Sequence, residues 1–224
     1  MNILLTGASG YIGRRLKHRL LEEQGVTLRL FVKQTQGVKL RPDVEIVQGS
    51  TFDIESLEAA LEGIDTAYYL IHSMESKNYR ELDAKSAHNF LDACIKKGVK
   101  RIIYLGGLGE KESASEHLLS RIETGEILSS QSEKIQTLWF RAGVIIGSGS
   151  ASFEIIRNLV EKLPFMITPK WVNTLCQPSA QADVIEYLAQ AAMLEEQTNA
   201  IIDIGSEQMS YKELLLGYAR AVGL

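Results

Sequence analysis

The chain has 224 residues, with 24 lysine and arginine residues against 28 aspartate and glutamate residues and a formal net charge of −4. Hydrophobic residues make up 45% and charged residues 23%, proportions that exclude a disordered chain, a collagen and a coiled coil. The acidic balance and the lack of a block of like charges argue against a nucleic-acid or anionic-membrane partner.

Short apolar runs alternate with longer helical patterns from the first residues to the last. The runs predict strands at 2–6, 27–33, 44–48, 66–72, 101–105, 135–141 and 201–204. The patterns between them predict helices at 11–23, 54–61, 79–97, 116–128, 153–163, 182–194 and 211–222. The run at 102–105 is apolar on both faces, which is typical of a parallel sheet covered on both sides. The alternation predicts an α/β fold with a doubly wound, mainly parallel sheet and helices on both faces, the Rossmann fold.

A glycine-rich segment, Thr6-Gly7-Ala8-Ser9-Gly10-Tyr11-Ile12-Gly13, joins the first predicted strand to the first predicted helix. Gly7 permits a tight turn, Gly10 lets the backbone approach a pyrophosphate, and Gly13 lets the helix pack closely. The helix N-terminus adds free N–H groups and a positive dipole. The segment therefore predicts dinucleotide contacts at Gly7, Ser9, Gly10, Tyr11, Ile12 and Gly13.

The end of the second predicted strand indicates which dinucleotide binds. A Rossmann site that prefers NAD places an acidic residue about 20 residues after the glycines. Here the segment is Val32-Lys33-Gln34-Thr35, which has no carboxylate. The Lys33 ammonium can pair with a ribose 2′-phosphate, assisted by Arg14 and Arg41, so NADP(H) is expected in preference to NAD(H). The alternative is that Lys33 is a solvated residue at a strand end.

These motifs resemble the short-chain dehydrogenase/reductase superfamily, and within it the atypical, NmrA-like members of the extended type, over essentially all of the chain. The resemblance also rests on Gln48-Gly49-Ser50-Thr51-Phe52-Asp53, on Tyr68-Tyr69-Leu70-Ile71-His72-Ser73-Met74, and on the segments 98–109 and 141–147. Ser50 stands where the family usually has an Asp that binds adenine. The resemblance implies further cofactor contacts at Ser50, Thr51, Leu70, Ile71, His72, Gly106, Gly107, Ala142, Gly143 and Val144.

The resemblance also indicates where a proton relay should lie. Members that reduce carbonyls use a Ser, a Tyr and a Lys, but Gly106-Gly107 stands at the Ser position. Aligning Gly125-Glu126-Ile127-Leu128 with the family's helix places Leu118 at the Tyr position and Ile122 at the Lys position. The relay is therefore predicted to be absent, and no catalytic residue is assigned. His117 and Arg121 flank the lost pair, although His117 fits a solvated helix start better than a proton donor.

Two functions remain open at this point. The first is an atypical NADP(H)-dependent oxidoreductase acting on a quinone-like or other small acceptor, because a quinone oxygen gains its proton easily once reduced. The second is a non-catalytic NADP-sensing regulator or assembly factor with a protein partner. The missing relay favours the second. The nicotinamide-side loop at 142–144 and the apolar segment 164–171, which is suited to a lid, favour the first.

The chain is expected to form a single NAD(P)-binding domain, with a dinucleotide-binding core at 1–147 and a smaller lid and substrate-side region at 148–224. It is also expected to be a fragment of a longer protein, because the last predicted helix carries an apolar stripe of Leu214, Leu215, Tyr218 and Val222 that must bury against something. The N-terminus lacks a signal peptide and no apolar run reaches about 18 residues, so a cytoplasmic protein without a membrane span is expected. Neither Cys94 nor Cys176 lies in a CxxC pair, and no metal site is predicted.

Overall fold

The computed structural model describes residues 1–35, 44–73, 78–162, 170–196 and 198–224. The strands are β1 (Asn2–Thr6), β2 (Thr27–Val32), β3 (Val44–Gln48), β4 (Thr66–Tyr69), β5 (Arg101–Gly107), β6 (Gln136–Ala142), β7 (Ile145–Ile146), β8 (Leu175–Cys176), β9 (Ser179–Ala180), β10 (Ala200–Ile204) and β11 (Met209–Ser210). The helices are α1 (Tyr11–Leu20), α2 (Ile54–Leu61), α3 (Tyr79–Lys96), α4 (Glu116–Leu128), α5 (Ala151–Lys162), α6 (Gln181–Met193) and α7 (Tyr211–Ala221).

The main sheet has seven strands in the order β10-β6-β5-β4-β1-β2-β3. β1 lies between β2 and β4 and pairs with both in parallel, while β2 pairs in parallel with β3 and β4 with β5. The chain therefore builds the sheet outward from β1 to β3, returns, and continues from β4 on the other side of β1. This reversal of strand order confirms the predicted doubly wound Rossmann fold.

The predicted helix starts and the strands agree closely with the structure, and local chemistry explains the agreement. Asp53 caps α2 by accepting from the Ser56 N–H, and Ser115 caps α4 in the same way. Ser210 and Glu213 form the capping box that the sequence predicts at the start of α7. The prediction was wrong at the end of β4, which stops at Tyr69 rather than at residue 72, and α1 ends at Leu20 rather than at residue 23.

Large aromatic residues fill the centre of the sheet, where every residue of β4 and β5 is buried. The Tyr68 hydroxyl donates to the Leu188 carbonyl at 2.6 Å, and the Tyr104 hydroxyl donates to the Arg121 carbonyl at 2.9 Å. Burial raises the pKa of Tyr104 to about 12. These tyrosines therefore contribute apolar packing while their hydroxyls retain hydrogen-bond partners.

Arg101 anchors the amino end of β5 to the C-terminus of α6. Its guanidinium donates to the Gln136 side-chain oxygen at 2.6 Å and to four main-chain carbonyls, those of Ala191, Ala192, Leu194 and Glu196. These carbonyls have no partner within the helix, and a cation at this end also complements the helix dipole. Burial lowers the Arg101 pKa, yet the side chain keeps its charge near neutral pH.

The described chain divides into two compact units, one made of 1–141 and 185–202, the other of 142–184 and 203–224. In the second unit, β7 pairs with β9 in parallel and β8 with β11 in antiparallel orientation. The apolar stripe of α7 packs on α5: Leu215 is buried and Tyr218 contacts the Phe153 ring at 5.4 Å between centroids. The predicted division between 1–147 and 148–224 stays a prediction. No helix among the described residues is long and apolar enough to cross a membrane.

Trp139 on β6 occupies space that two glycines leave free. A Cβ atom at Gly125 would lie 2.2 Å from the Trp139 indole and one at Gly106 would lie 2.5 Å from its Nε1. Gly106 is thus required by the packing of Trp139, a role that the sequence does not reveal.

We expect Gly125→Ala to lower the free energy of unfolding by about 1–3 kcal/mol, because the added methyl group collides with a buried ring. Gly217→Ala is the matched control, because nothing lies within 4 Å of its Cβ position on α7. Chemical denaturation measures both changes. The cost of Gly125→Ala should shrink in a Trp139→Leu background, and a cost that is the same in both backgrounds would contradict this packing.

Candidate functional site

The carboxyl ends of β1 and β4 meet at the point where the strand order reverses. Thr6, the last residue of β1, donates its hydroxyl to the Tyr68 carbonyl at 2.7 Å and accepts from the Leu70 N–H at 3.1 Å. Gly7 follows with a φ of +67°, and a Cβ there would lie 2.1 Å from the Leu70 carbonyl oxygen. The Leu70 backbone therefore packs directly on the glycine turn. This contact also explains why β4 ends at Tyr69.

The other two glycines of the turn have different surroundings. A Cβ at Gly13 would lie 2.2 Å from the Gly7 carbonyl oxygen, so this glycine lets α1 pack against the turn. A Cβ at Gly10 would meet one atom, the Gly7 oxygen at 3.2 Å, and is otherwise unobstructed. Gly10 is the N-cap of α1, which has no side-chain cap and no acidic residue in its first turn. The open side of Gly10 faces a helix N-terminus, an arrangement that fits a dinucleotide pyrophosphate.

The carboxyl ends of β2 and β3 carry the residues predicted to contact the adenosine half of the cofactor. Lys33 is exposed directly after β2, and its carbonyl accepts from the Gln48 side chain at 3.2 Å. Ser50 follows β3 and its hydroxyl accepts from the Phe52 N–H at 3.3 Å. Arg41, the predicted helper of Lys33, lies outside the described residues. Lys33 and Ser50 thus lie at the cofactor edge of the sheet, and their contacts stay predictions.

A chain of buried hydroxyl groups fixes the segment after β3, and sequence reasoning missed it. The Tyr69 hydroxyl donates to Ser86 Oγ at 2.7 Å, and Ser86 donates to Thr51 Oγ1 at 2.7 Å. Asn89 donates to the Thr51 carbonyl at 2.8 Å. Thr51 is 2% exposed, so its side chain faces α3 rather than a ligand. Any cofactor contact of Thr51 would have to involve its backbone.

The segment after β4 is held by a buried carboxylate on α3. Asp83 is 4% exposed and accepts from the Ser73 N–H at 2.8 Å and from the Ser120 hydroxyl at 3.0 Å. These bonds join the backbone next to His72 to both α3 and α4. Leu70, Ile71 and His72, the predicted cofactor contacts, are half-buried on this segment. Asp83 has no motif that would have drawn attention to it in the sequence.

The position of the family's relay is filled by aliphatic side chains. A Cβ at Gly107 would lie 2.6 Å from Leu118 Cδ1, so a serine there would require the Leu118 side chain to shift. Ile122 is 5% exposed in the main core. Neither aliphatic residue can donate a proton, which agrees with the expectation that the usual relay is absent. Gly107 nevertheless lies at the carboxyl end of β5, beside the rest of the candidate site.

Two histidines and one arginine lie beside this aliphatic pair. The His72 and His117 rings are 6.5 Å apart between centroids, and Arg121 Nη2 donates to the Leu105 carbonyl at 2.9 Å. Burial, assisted by the charge of Arg121, lowers the pKa of His72 to about 3. The same causes lower the pKa of His117, which lies at the start of α4. Both imidazoles are therefore neutral near neutral pH.

The remaining titratable candidates show no activation. Burial raises the thiol pKa of both Cys94 and Cys176, so neither is a ready thiolate. His18 and His88 are exposed on α1 and α3. Among the described residues, no group of three His, Cys, Asp or Glu side chains is arranged to hold a metal ion.

The predicted nicotinamide-side loop belongs to the second unit. Ala142 and Val144 are buried, and a Cβ at Gly143 would lie 2.6 Å from the Gln177 carbonyl oxygen. The requirement for glycine at 143 therefore has a packing cause within this unit. Residues 164–169 of the predicted lid lie outside the described residues, and Lys170–Asn173 form a 3₁₀ turn.

The fold, the glycine turn and the uncapped α1 define a dinucleotide-binding Rossmann protein. The chain belongs to the NAD(P)H-binding family, which matches residues 7–136, and within it is an atypical, NmrA-like protein of the extended short-chain dehydrogenase/reductase type. The resemblance predicted from the sequence is thereby confirmed.

Individual relatives include a reductase of similar length. Sanguinarine reductase of Eschscholzia californica is 26% identical over 255 residues, covering 92% of this chain and 89% of the reductase. The 3 beta-hydroxysteroid dehydrogenase/Delta 5→4-isomerase of Mycobacterium tuberculosis is 28% identical over 113 residues, and the match spans 46% of this chain but only 30% of that protein. Among solved structures, MoeE5 in complex with UDP-glucuronic acid and NAD has a TM-score of 0.80 at 17% identity, covering 100% of this chain and 83% of MoeE5. The last likeness shows the fold alone.

We expect Gly10→Ala to separate cofactor binding from stability. The added methyl group meets one protein atom, so thermal unfolding should stay near that of the wild type, while NADPH affinity falls by about tenfold or more as a backbone–phosphate hydrogen bond is lost. Gly13→Ala should lower both the unfolding temperature and the NADPH affinity, because its Cβ would lie 2.2 Å from the Gly7 oxygen. Calorimetric titration and thermal melts measure the two properties. Unchanged NADPH affinity in Gly10→Ala would show that the cofactor does not bind on this turn.

Proposed function

We propose that this protein is an NADP(H)-dependent reductase of a quinone-like small acceptor. The observation that supports the proposal is the turn itself: protein packing requires glycine at 7 and 13, whereas a Cβ at Gly10 would meet only the Gly7 oxygen. When bound, NADPH supplies a hydride, which reduces the acceptor by two electrons. The chain's own residues bind and orient the dinucleotide and shape the acceptor site.

Lys33 supports the preference for NADP(H). It is exposed immediately after β2, the neighbour of β1 in the sheet, and Gln34 and Thr35 beside it are uncharged. A ribose 2′-phosphate would meet an ammonium group there and no carboxylate from residues 33–35. In an NAD site, by contrast, a carboxylate at this position binds the 2′-hydroxyl and repels the phosphate.

The missing relay supports the choice of acceptor. A simple ketone becomes a strongly basic alkoxide when it accepts a hydride, so its reduction depends on a proton donor. A reduced quinone is a far weaker base and takes its proton from water. Leu118 and Ile122 provide no donor, and this suits an acceptor of the second kind. Sanguinarine reductase, a relative that matches over 92% of the chain, is consistent with a reductive role.

The remaining predicted contacts belong to the same proposal. Leu70, Ile71 and His72 run along the cofactor from the turn toward the nicotinamide, and Ser50 contributes at the adenine end. Gly106 and Gly107, at the end of β5, and Ala142, Gly143 and Val144 are further proposed cofactor contacts.

A second candidate is favoured by one observation. Leu118 packs against the Cβ positions of Gly107 and Gly109, so an apolar side chain covers the end of β5 where chemistry would occur. A protein that binds NADPH there without reacting would act as a sensor or assembly factor. NADPH binding without oxidation by any acceptor would favour this candidate.

We expect wild-type protein to bind NADP(H) at least several-fold more tightly than NAD(H), and Lys33→Asp to narrow or reverse the ratio. The cause is replacement of an attractive charge by a repulsive one beside the 2′-phosphate. Lys134→Asp is the matched control, because Lys134 is an exposed lysine in a turn before β6. Calorimetric titration of both cofactors measures the ratio. Equal affinities in the wild type would contradict the preference.

We also expect an acceptor panel to separate quinones from other carbonyl compounds. NADPH oxidation, followed by its absorbance, should be appreciable only with quinones. Simple ketones and sugar nucleotides should react poorly, because the relay's contribution of about 10²–10⁴-fold is lacking. Rapid reduction of a ketone that survives both His117→Ala and Arg121→Ala would contradict the absence of a relay.

A further inference from the structure

Three nitrogen-bearing side chains converge beside the ends of β4 and β5. His72 comes from the segment after β4, while His117 and Arg121 lie one turn apart on α4. The two imidazole rings meet edge to face at an interplanar angle of 70°. Arg121 lies along β5, with its Nε 3.5 Å from the Cβ position of Gly107. This cluster, called here the His72–His117–Arg121 cluster, borders the aliphatic pair that replaces the relay.

Arg121 has neither a counter-charge nor a full set of acceptors, whereas Arg101, which also lacks a carboxylate partner, is saturated by five oxygen acceptors. Arg19, Arg29 and Arg80 each pair with a carboxylate. Within the part of the chain that the structure describes, no carboxylate pairs with Arg121, and its buried Nε has no hydrogen-bond acceptor. A partly buried guanidinium without a counter-ion or a full set of acceptors is costly. An anionic group from a ligand would offset that cost.

The neighbouring charges leave the cluster positive. Asp83 is the carboxylate that acts on His117 from α3, but both of its oxygens already accept hydrogen bonds from Ser73 and Ser120. Arg80, on the same α3–α4 interface, is paired with Glu123 and Glu116. His72 and His117 are neutral because burial and the Arg121 charge lower their pKa values. The charge that a ligand would meet is therefore that of Arg121, flanked by a neutral imidazole.

We propose that Arg121 and His117 form the acceptor-oxygen site of the reductase, in which a fixed guanidinium charge and an imidazole N–H stabilise the negative charge that develops on the oxygen of a quinone-like acceptor. This inference rests on the proposed reductase function. The acceptor gains a hydride from NADPH and one proton from water, and the products are a hydroquinone and NADP⁺. Arg121 and His117 lose no proton in this step. They replace proton donation by electrostatic stabilisation.

A site of this kind binds an anion of the acceptor's shape even when no reaction takes place. The probe is 2-hydroxy-1,4-naphthoquinone, which is an anion at neutral pH, titrated calorimetrically into NADP⁺-saturated protein. Arg121→Met should weaken its binding by about tenfold or more, the effect of losing a charged hydrogen bond. Binding of uncharged 1,4-naphthoquinone should change far less. His117→Gln should have a smaller effect than Arg121→Met, and His88→Gln, on the exposed face of α3, should have none.

Arg121→Met also removes the hydrogen bond to Leu105, so folding is checked by circular dichroism. Arg121→Gln is the second variant, because an amide still donates to the Leu105 carbonyl while the charge is absent. If either folded variant binds the anion more weakly but still binds uncharged 1,4-naphthoquinone, the result supports the site. Equal binding of the anion to the wild type and to the folded variant overturns it.

The pH dependence of quinone reduction distinguishes charge stabilisation from proton donation. Because the pKa of His72 is about 3 and that of His117 lies below its ordinary value, both imidazoles are neutral above pH 7, and the rate with 1,4-naphthoquinone should be flat between about pH 7 and 8. If the wild-type rate instead falls as the pH rises through this range, and the rate of His117→Gln does not, His117 is a proton donor and the proposal is overturned.

Failure of this inference is distinguishable from failure of the proposed function. If NADPH binds and quinones are reduced, but Arg121→Met leaves anion binding unchanged, the acceptor-oxygen site is wrong and the reductase stands. If NADPH binds and no quinone is reduced, the reductase proposal fails and this inference fails with it.

Discussion

The backbone contact between Leu70 and Gly7 is the constraint on which the rest of the candidate site depends. Parallel pairing of β4 beside β1 brings the two chain segments to one edge, and a side chain at position 7 would occupy the place of the Leu70 carbonyl. The Thr6 hydroxyl joins the same two segments by two hydrogen bonds. The glycine turn and the segment that carries His72 are thereby held as one surface, and α1 starts from it.

Buried polar groups also connect the segments of the candidate site to the helices on one face of the sheet. The hydroxyl chain from Tyr69 through Ser86 to Thr51 fixes the segment after β3, and Asp83 fixes the segment after β4. Such networks are costly when one partner is missing, and they specify one arrangement when complete. The loops at the carboxyl edge are therefore positioned by groups that need not touch a ligand themselves.

At the end of β5, aliphatic side chains stand where the family resemblance places the proton relay. Leu118 and Ile122 cannot donate a proton, and a serine at position 107 would require Leu118 to shift. Arg121 lies beside them with a charge that no described carboxylate neutralises. An arginine keeps its charge at every relevant pH, whereas the function of a Tyr–Lys pair depends on proton transfer. Under the proposed function, this arrangement favours acceptors whose reduction needs charge stabilisation more than a proton.

The sequence by itself determined the Rossmann fold and predicted the glycine turn as the cofactor site and the absence of the relay. Strand and helix periods, caps such as Ser210, and the spacing of Gly7, Gly10 and Gly13 are local properties that the chain carries wherever it folds. Tertiary structure alone decided which of these glycines packing requires, and it revealed the buried partners Asp83 and Ser86. It also brought His72, 45 positions earlier in the chain, next to His117. Contacts between distant segments depend on strand order and side-chain packing, which no local pattern encodes.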